Sequence, residues 1–198
     1  MSKLVKNENA FTGLEAAIVL IAFIVVAAVF SYVVLGAGFF TTQKSQEVVH
    51  TGVSQTSSSV EIVGDVIGKA DTSCAALESI LVTVSLSAGQ GVVDFDNVVV
   101  TYADANIVET LGHTANDPAN TPAAGGKWHI YDRQNAEDDG NLLEPFEQFT
   151  LSVGIPATDG YKVAVNHPFT VEIKPSVGAP YAISRTTPPQ FTDYNTLR

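Results

Sequence analysis

The chain has 198 residues and a formal net charge of −11, from 21 Asp and Glu against 10 Lys and Arg. An acidic balance of this size argues against nucleic acid, whose phosphates demand a basic face. A single cysteine, Cys74, excludes an intramolecular disulfide and a zinc site built on several thiolates; its ordinary role is that of a small buried apolar residue. The length suits one domain with an appendage, because a single core takes roughly 100 to 150 residues.

Apolar residues crowd before position 40, whereas nearly all the carboxylates lie after position 46. Residues 1–13, MSKLVKNENAFTG, are short and polar, with Lys3 and Lys6 ahead of an apolar run from Leu14 to Phe40 in which Glu15 is the only charge. As a helix this run measures about 40 Å at ~1.5 Å per residue, enough to cross a hydrocarbon layer of roughly 30 Å. Its many Val and Ile residues suit a strand by propensity, but an uninterrupted apolar run beyond about 18 residues reads as a membrane helix. Ala22, Ala27, Ala28 and Ser31 are small enough to let helices approach closely, and Gly36 and Gly38 could bend the rod. Two processing schemes fit the pattern. A secretory signal would be cut after the apolar run, at Gly36-Ala37-Gly38; the alternative is a cut before it, after Gly13, with Leu14 as the mature N-terminus.

The helix is expected to continue past Phe40. Gln46, Val49, Val53, Thr56, Val60, Val63 and Ile67 alternate steps of three and four, which marks one stripe of a helix reaching about residue 70. That stripe suits packing either against the chain's own downstream domain or against neighbouring helices in a polymer. Ser57, Ser58, Ser59, Glu61 and Asp65 make the other face polar, and Gly68 or Asp71 is a plausible terminus.

From residue 71 the texture changes to short β-rich runs. Strands are predicted at Ser79–Ala88, Asp96–Tyr102, Trp128–Arg133, Phe149–Val153, Tyr161–Val165 and Phe169–Lys174, with a further short one near Ile107–Leu111. Asn116-Asp117-Pro118, Gly125-Gly126, Asp139-Gly140-Asn141 and Asp159-Gly160 supply turn chemistry between them. Six to eight short strands over residues 71–198 imply an antiparallel, immunoglobulin-like β-sandwich. The class is therefore α+β, a long N-terminal hydrophobic α-helix followed by that sandwich.

Catalytic patterns are missing. His50, His113, His129 and His167 lack metal-ligand spacing, and the sequence contains no H-E-x-x-H, no G-x-G-x-x-G, no G-x-x-x-x-G-K and no G-x-S-x-G. No cofactor is expected. Two acidic groups, Asp94 with Asp96 and Asn97, and Glu137 with Asp138 and Asp139, offer the oxygen ligands that calcium prefers, although neither matches the twelve-residue calcium loop.

The stretch AFTGLEAAIVLIAFIVVAAVFSYVVLGAGFFTTQKSQEVV resembles the start of the archaellins, the archaeal flagellins. The similarity extends more weakly to Val84–Tyr102 (VSLSAGQGVVDFDNVVVTY), to FTVEIKP at 169–175 and to 185–188. What the resemblance implies is a type IV pilin-like assembly. A prepilin peptidase would remove residues 1–13 by cutting after Gly13. The helix of residues 14–70 would wait in the cytoplasmic membrane and then pack with its copies in a filament core, and the extracellular sandwich of residues 71–198 would face outward. Torque for swimming would come from a separate membrane-embedded rotary motor. Two features depart from relatives. Phe11 and Thr12 stand where many members carry Lys or Arg, and the residue in fifth mature position is Ile18, not the glutamate of bacterial pilins; Glu15 is the second. The alternatives are an adhesive archaeal pilus subunit, sharing the same assembly, and a membrane-anchored extracellular enzyme or receptor, which would require a site that the sequence does not display.

Overall fold

The computed structural model describes residues 8–87, 91–114, 121–123, 125–136, 138–157 and 160–198. The chain divides into two units, Met1–Thr51 and Gly52–Arg198. A single helix, α1 (Glu8–Ser57), fills the described part of the first and reaches into the second. It runs without interruption through Gly36 and Gly38, so neither breaks it. Thr41 and Thr42 donate their hydroxyls to the carbonyls of Ala37 and Gly38, each at 2.9 Å, which satisfies polar groups internally along an apolar rod.

The helix stops earlier than the stripe to Ile67 predicts. After Ser57 the chain turns and forms β1 (Val60–Ile62) and β2 (Ile67–Ala70). Gly64, at φ +83°, takes the left-handed conformation that a helix cannot contain. Val60 and Val66 are buried in the sheet core, where β-branched side chains pack well on a pleated surface, and the ladder to later strands prevails over local helical spacing. Residues 60–70 therefore belong to the β-domain.

Ten more strands follow: β3 (Leu77–Leu86), β4 (Val93–Asp94), β5 (Val99–Asp104), β6 (Val108–His113), β7 (Lys127–Gln134), β8 (Leu142–Leu143), β9 (Gln148–Gly154), β10 (Pro168–Lys174), β11 (Tyr181–Thr186) and β12 (Tyr194–Thr196). The main sheet runs β11-β10-β5-β6-β7-β9-β3-β2-β12, with β1 added beside β3, and β4 pairs with β8 separately. Every pairing is antiparallel except β6 with β7, which are parallel over Gly112↔Lys127 and His113↔Trp128. The order folds over one core. Tyr102 stacks on Phe169 from one half of the sheet, while Phe95 meets Trp128 and Phe149 from the other, and all five are almost fully buried in one cluster.

Three expectations are corrected. Tyr161–Val165 is not a strand; only Val163 forms a bridge, to Leu77, because β2 and β9 already occupy the two edges of β3. The segment from Asp96 begins as a tight 3₁₀ turn over Phe95–Asn97, and the strand starts at Val99. Cys74 is exposed, in a turn at φ +51°, and not buried.

The start of the β-domain is clamped by close backbone approaches. A Cβ built at Gly91 would collide with the Ser57 carbonyl, and one at Gly178 with the Ser58 carbonyl. Ser59 adds two bonds, accepting from the Ser87 amide at 2.8 Å and, through its hydroxyl, from the Ala179 amide at 3.1 Å.

Candidate functional site

On α1 the decisive property is exposure. Every side chain from Thr12 to Val53 is exposed, among them Leu14, Ile18, Phe23, Phe30, Tyr32, Phe39 and Phe40. About seventeen large apolar side chains lie between Leu14 and Phe40, and leaving each in water forfeits roughly 1.5 to 3 kcal/mol. The total, tens of kcal/mol, exceeds the ~5 to 15 kcal/mol that holds an ordinary domain folded. The helix is long and apolar enough to cross a membrane. Glu15, Ala22, Ala27, Ala28 and Ser31 all lie on this exposed rod. Gly13, Gly36 and Gly38 have nothing within 4 Å of a would-be Cβ, so nothing among the described residues requires a glycine at these three positions.

The acidic groups of the β-domain are tied into hydrogen bonds of their own. Asp94 caps the 3₁₀ turn, accepting from the Asp96 amide at 2.9 Å and from Asn97 Nδ2 at 2.7 Å. Asp96 accepts from Asn141 Nδ2 at 2.7 Å, and Asp138 accepts from the Gly140 amide at 2.8 Å. Arg133 closes the network, donating to the Gly140 carbonyl and to Asn141 Oδ1, each at 2.9 Å, with its guanidinium 5.6 Å from the centre of the Phe149 ring. The fold thus brings Asp96 and Asp138 toward the same loop, and the cation found among them is an arginine. Asp139 lies in that loop; Glu137 lies outside the described residues. Among the described residues no three His, Cys, Asp or Glu side chains are grouped so as to hold a metal ion.

A stronger polar cluster, not anticipated from sequence, surrounds Asp104 at the end of β5. Its side chain is fully buried and accepts from Tyr102 at 3.0 Å, from the amides of Asn106 and Ile107 at 2.7 and 2.9 Å, and from the Tyr161 hydroxyl. His167 Nε2 stands 3.5 Å away. Burial by itself pushes the Asp104 carboxyl up, but the donors from Tyr161, Asn106, Ile107 and Tyr102 outweigh it and hold it below the usual carboxylate range. Burial first, and then the neighbouring carboxylate, push both tyrosine hydroxyls up, so they stay protonated donors. Asp71 makes a similar knot in the turn before β3. The Ala75 amide foremost, then the Ser73 hydroxyl and Lys162, lower its carboxyl to about 2. Both clusters bind loops to strands. The one legible hint was the Asp104-Ala105-Asn106 sequence, whose aspartate accepts from the amide two residues on, as turn aspartates do.

Comparison with known proteins spans both the rod and the domain. The family model for archaeal-type flagellin matches residues 10–185. A probable flagellin 1 of Archaeoglobus fulgidus is 44% identical over 195 residues, covering 96% of this chain and 95% of that protein. The 24 kDa flagellin of Methanospirillum hungatei is 88% identical over 32 residues, 16% of this chain and 100% of the relative's known sequence. The structure of the archaeal flagellum of Methanospirillum hungatei superposes with a TM-score of 0.68 at 34% identity, covering 93% of this chain and 98% of that one.

Proposed function

This chain belongs to the archaeal-type flagellin family and is a non-enzymatic structural subunit of the archaeal flagellum; from that premise we propose how it is processed and assembled. Copies of the chain associate into the filament, an extracellular surface appendage. The reading rests on one observation, the fully exposed apolar rod from Leu14 to Phe40.

Before assembly the rod lies in the cytoplasmic membrane, where a helix satisfies its backbone groups internally. A prepilin peptidase cuts between Gly13 and Leu14, taking Lys3 and Lys6 with the leader and leaving Glu15 as the second residue. Copies of the same helix then replace lipid, and Ala22, Ala27, Ala28, Ser31, Gly36 and Gly38 permit close approach between them. A head-to-tail contact between identical subunits propagates as an open helix when it does not close into a ring. The filament serves swimming, driven by a separate membrane-embedded motor. N-terminal sequencing of subunits from purified filaments tests the scheme. Leu14 is the expected first residue, and Met1, or a start after Gly38, contradicts it. Gly13→Val should leave uncut subunits in the membrane fraction.

A further inference from the structure

The helix α1 begins at Glu8, so the bond between Gly13 and Leu14 lies inside a helix and not ahead of one. Helical geometry engages both sides of that bond. The Gly13 carbonyl accepts from the Ala17 amide, and the Leu14 amide donates to the Ala10 carbonyl, as each residue of an α-helix bonds to the fourth before it. Hydrolysis adds water across the bond, the hydroxyl to the Gly13 carbonyl carbon and a proton to the Leu14 nitrogen, and both groups are held against neighbouring turns of backbone. At least one turn must open first. When opening and closing are fast, the rate of cutting then tracks the population of the open state.

The residues on the two sides of the bond differ in how readily they leave a helix. Asn9, Thr12 and Gly13 are weak helix formers, whereas Leu14, Glu15, Ala16 and Ala17 are among the strongest. A helix with weak residues near its end frays as far as the first strong ones, and here that boundary is the bond itself. No packing holds the turn at Gly13 closed, since nothing among the described residues lies within 4 Å of a would-be Cβ. Gly36 and Gly38 have the same open space and the same low propensity, but helix stands on both sides of them. Opening there divides one helix into two and requires a second nucleus, which costs a factor of about a thousand. Place in the helix therefore separates two glycine sites that are alike in residue type.

We propose that melting of the first turns of α1 selects the cut. Residues 9–13 unwind, the strong helix from Leu14 resists, and the peptidase takes the last unwound bond. The inference rests on the processing proposed above and supplies its specificity, with no particular side chain needed at Phe11 or Thr12.

Two substitutions three and four residues ahead of Gly13, Ala10→Gly and Asn9→Ala, move helix strength in opposite directions without altering the residues at the bond. Full-length subunits in detergent micelles are incubated with purified prepilin peptidase, and the cut is followed by intact mass. Amide hydrogen exchange at Glu15, Ala16 and Ala17, whose helical acceptors are the carbonyls of Phe11, Thr12 and Gly13, reports opening in the uncut chain. Ala10→Gly should raise both the cutting rate and the exchange about fivefold, and Asn9→Ala should lower both about threefold. Cutting after Gly13 at an unchanged rate in both variants, or rates that change while exchange does not, overturns selection by melting and leaves processing at Gly13 standing. An unaltered chain that is never cut after Gly13 overturns the processing itself.

Discussion

Asp104 shows how one carboxylate can organise a region that has no chemistry to perform. It gathers two tyrosine hydroxyls and two amides around its buried side chain, joining the β5–β6 turn to the segment before β10. Asp104→Ala strands those donors, three part-buried and the Asn106 amide exposed, so the roughly 1 to 3 kcal/mol that a fully buried unpaired donor costs is an upper limit for each; a measurable loss in the denaturant unfolding of the β-domain is expected. Asp104→Asn, which can still accept, should lose less. Asp71 supplies a pH signature. Its carboxyl is depressed to about 2 from an ordinary value near 3.8, so its stabilising contribution is complete above the ordinary value and disappears as pH falls through about 2. An Asp71→Asn variant should therefore show a flatter stability profile between roughly pH 4 and 2, and a carboxyl resonance titrating near 2 should vanish from its spectra. Beyond the turn signal at Asp104-Ala105-Asn106, neither knot was visible in the sequence. Tyr161 meets Asp104 across 57 positions, and proximity of that kind is set by sheet topology, not by any local pattern.

Among the elements, legibility followed the range of the forces involved. The apolar stretch of α1 could be read from composition, because an uninterrupted apolar run admits one backbone solution, but the helix starts at Glu8, ahead of the expected Leu14. Its end could not. Val60, Val63 and Ile67 satisfy a helical step and a strand's preferences equally, and the choice was made by β3, whose Val84 and Leu86 pair with Ile62 and Val60. The long core strands β3, β7, β9 and β10 were found within one or two residues of their ends, whereas β12, three residues paired with β2 from the opposite end of the domain, carries no local signal. On α1 itself, glycine costs about 1 kcal/mol relative to alanine in a helix interior, yet Gly36 and Gly38 have open space around them within the subunit. The proposed assembly gives them a role between copies. Gly36→Leu should accordingly leave the helical content of the detergent-dispersed subunit unchanged or raised, while filament yield and the dissociation temperature fall; undiminished filaments would show that no neighbour approaches there.

For the whole molecule, two kinds of force act in different places. The apolar rod contributes tens of kcal/mol per subunit once covered, whereas exposed charge pairs such as Lys44 with Glu47 are individually worth roughly 0 to 1 kcal/mol. The full chain carries −11, and a subunit without residues 1–13 carries −12 because Lys3, Lys6 and Glu8 leave with them; its copies repel, and that repulsion is screened within about 8 to 10 Å near physiological ionic strength but reaches further in dilute buffer. Salt dilution should loosen contacts among the acidic β-domains before it shortens the polymer, and detergent, which competes for the rods, should dissociate it. Sedimentation and filament length followed through a salt series and a detergent series check the order. Dissociation on mild dilution, with resistance to detergent, would mean that the acidic domains, and not the rods, carry the assembly.

The glycines at 91 and 178 acquire a mechanical meaning in this setting. Only one covalent thread connects the rod to the sheet, and any twist or pull applied to either passes through Ser57 and Ser58. A loose thread would behave as a swivel and dissipate the load. Here two backbone segments press directly against the thread, with no side chain between, and Ser59 is bonded on both sides. Residues 57–59 are therefore wedged into the β-domain itself, and even one methyl group at residue 91 or 178 would force them off it.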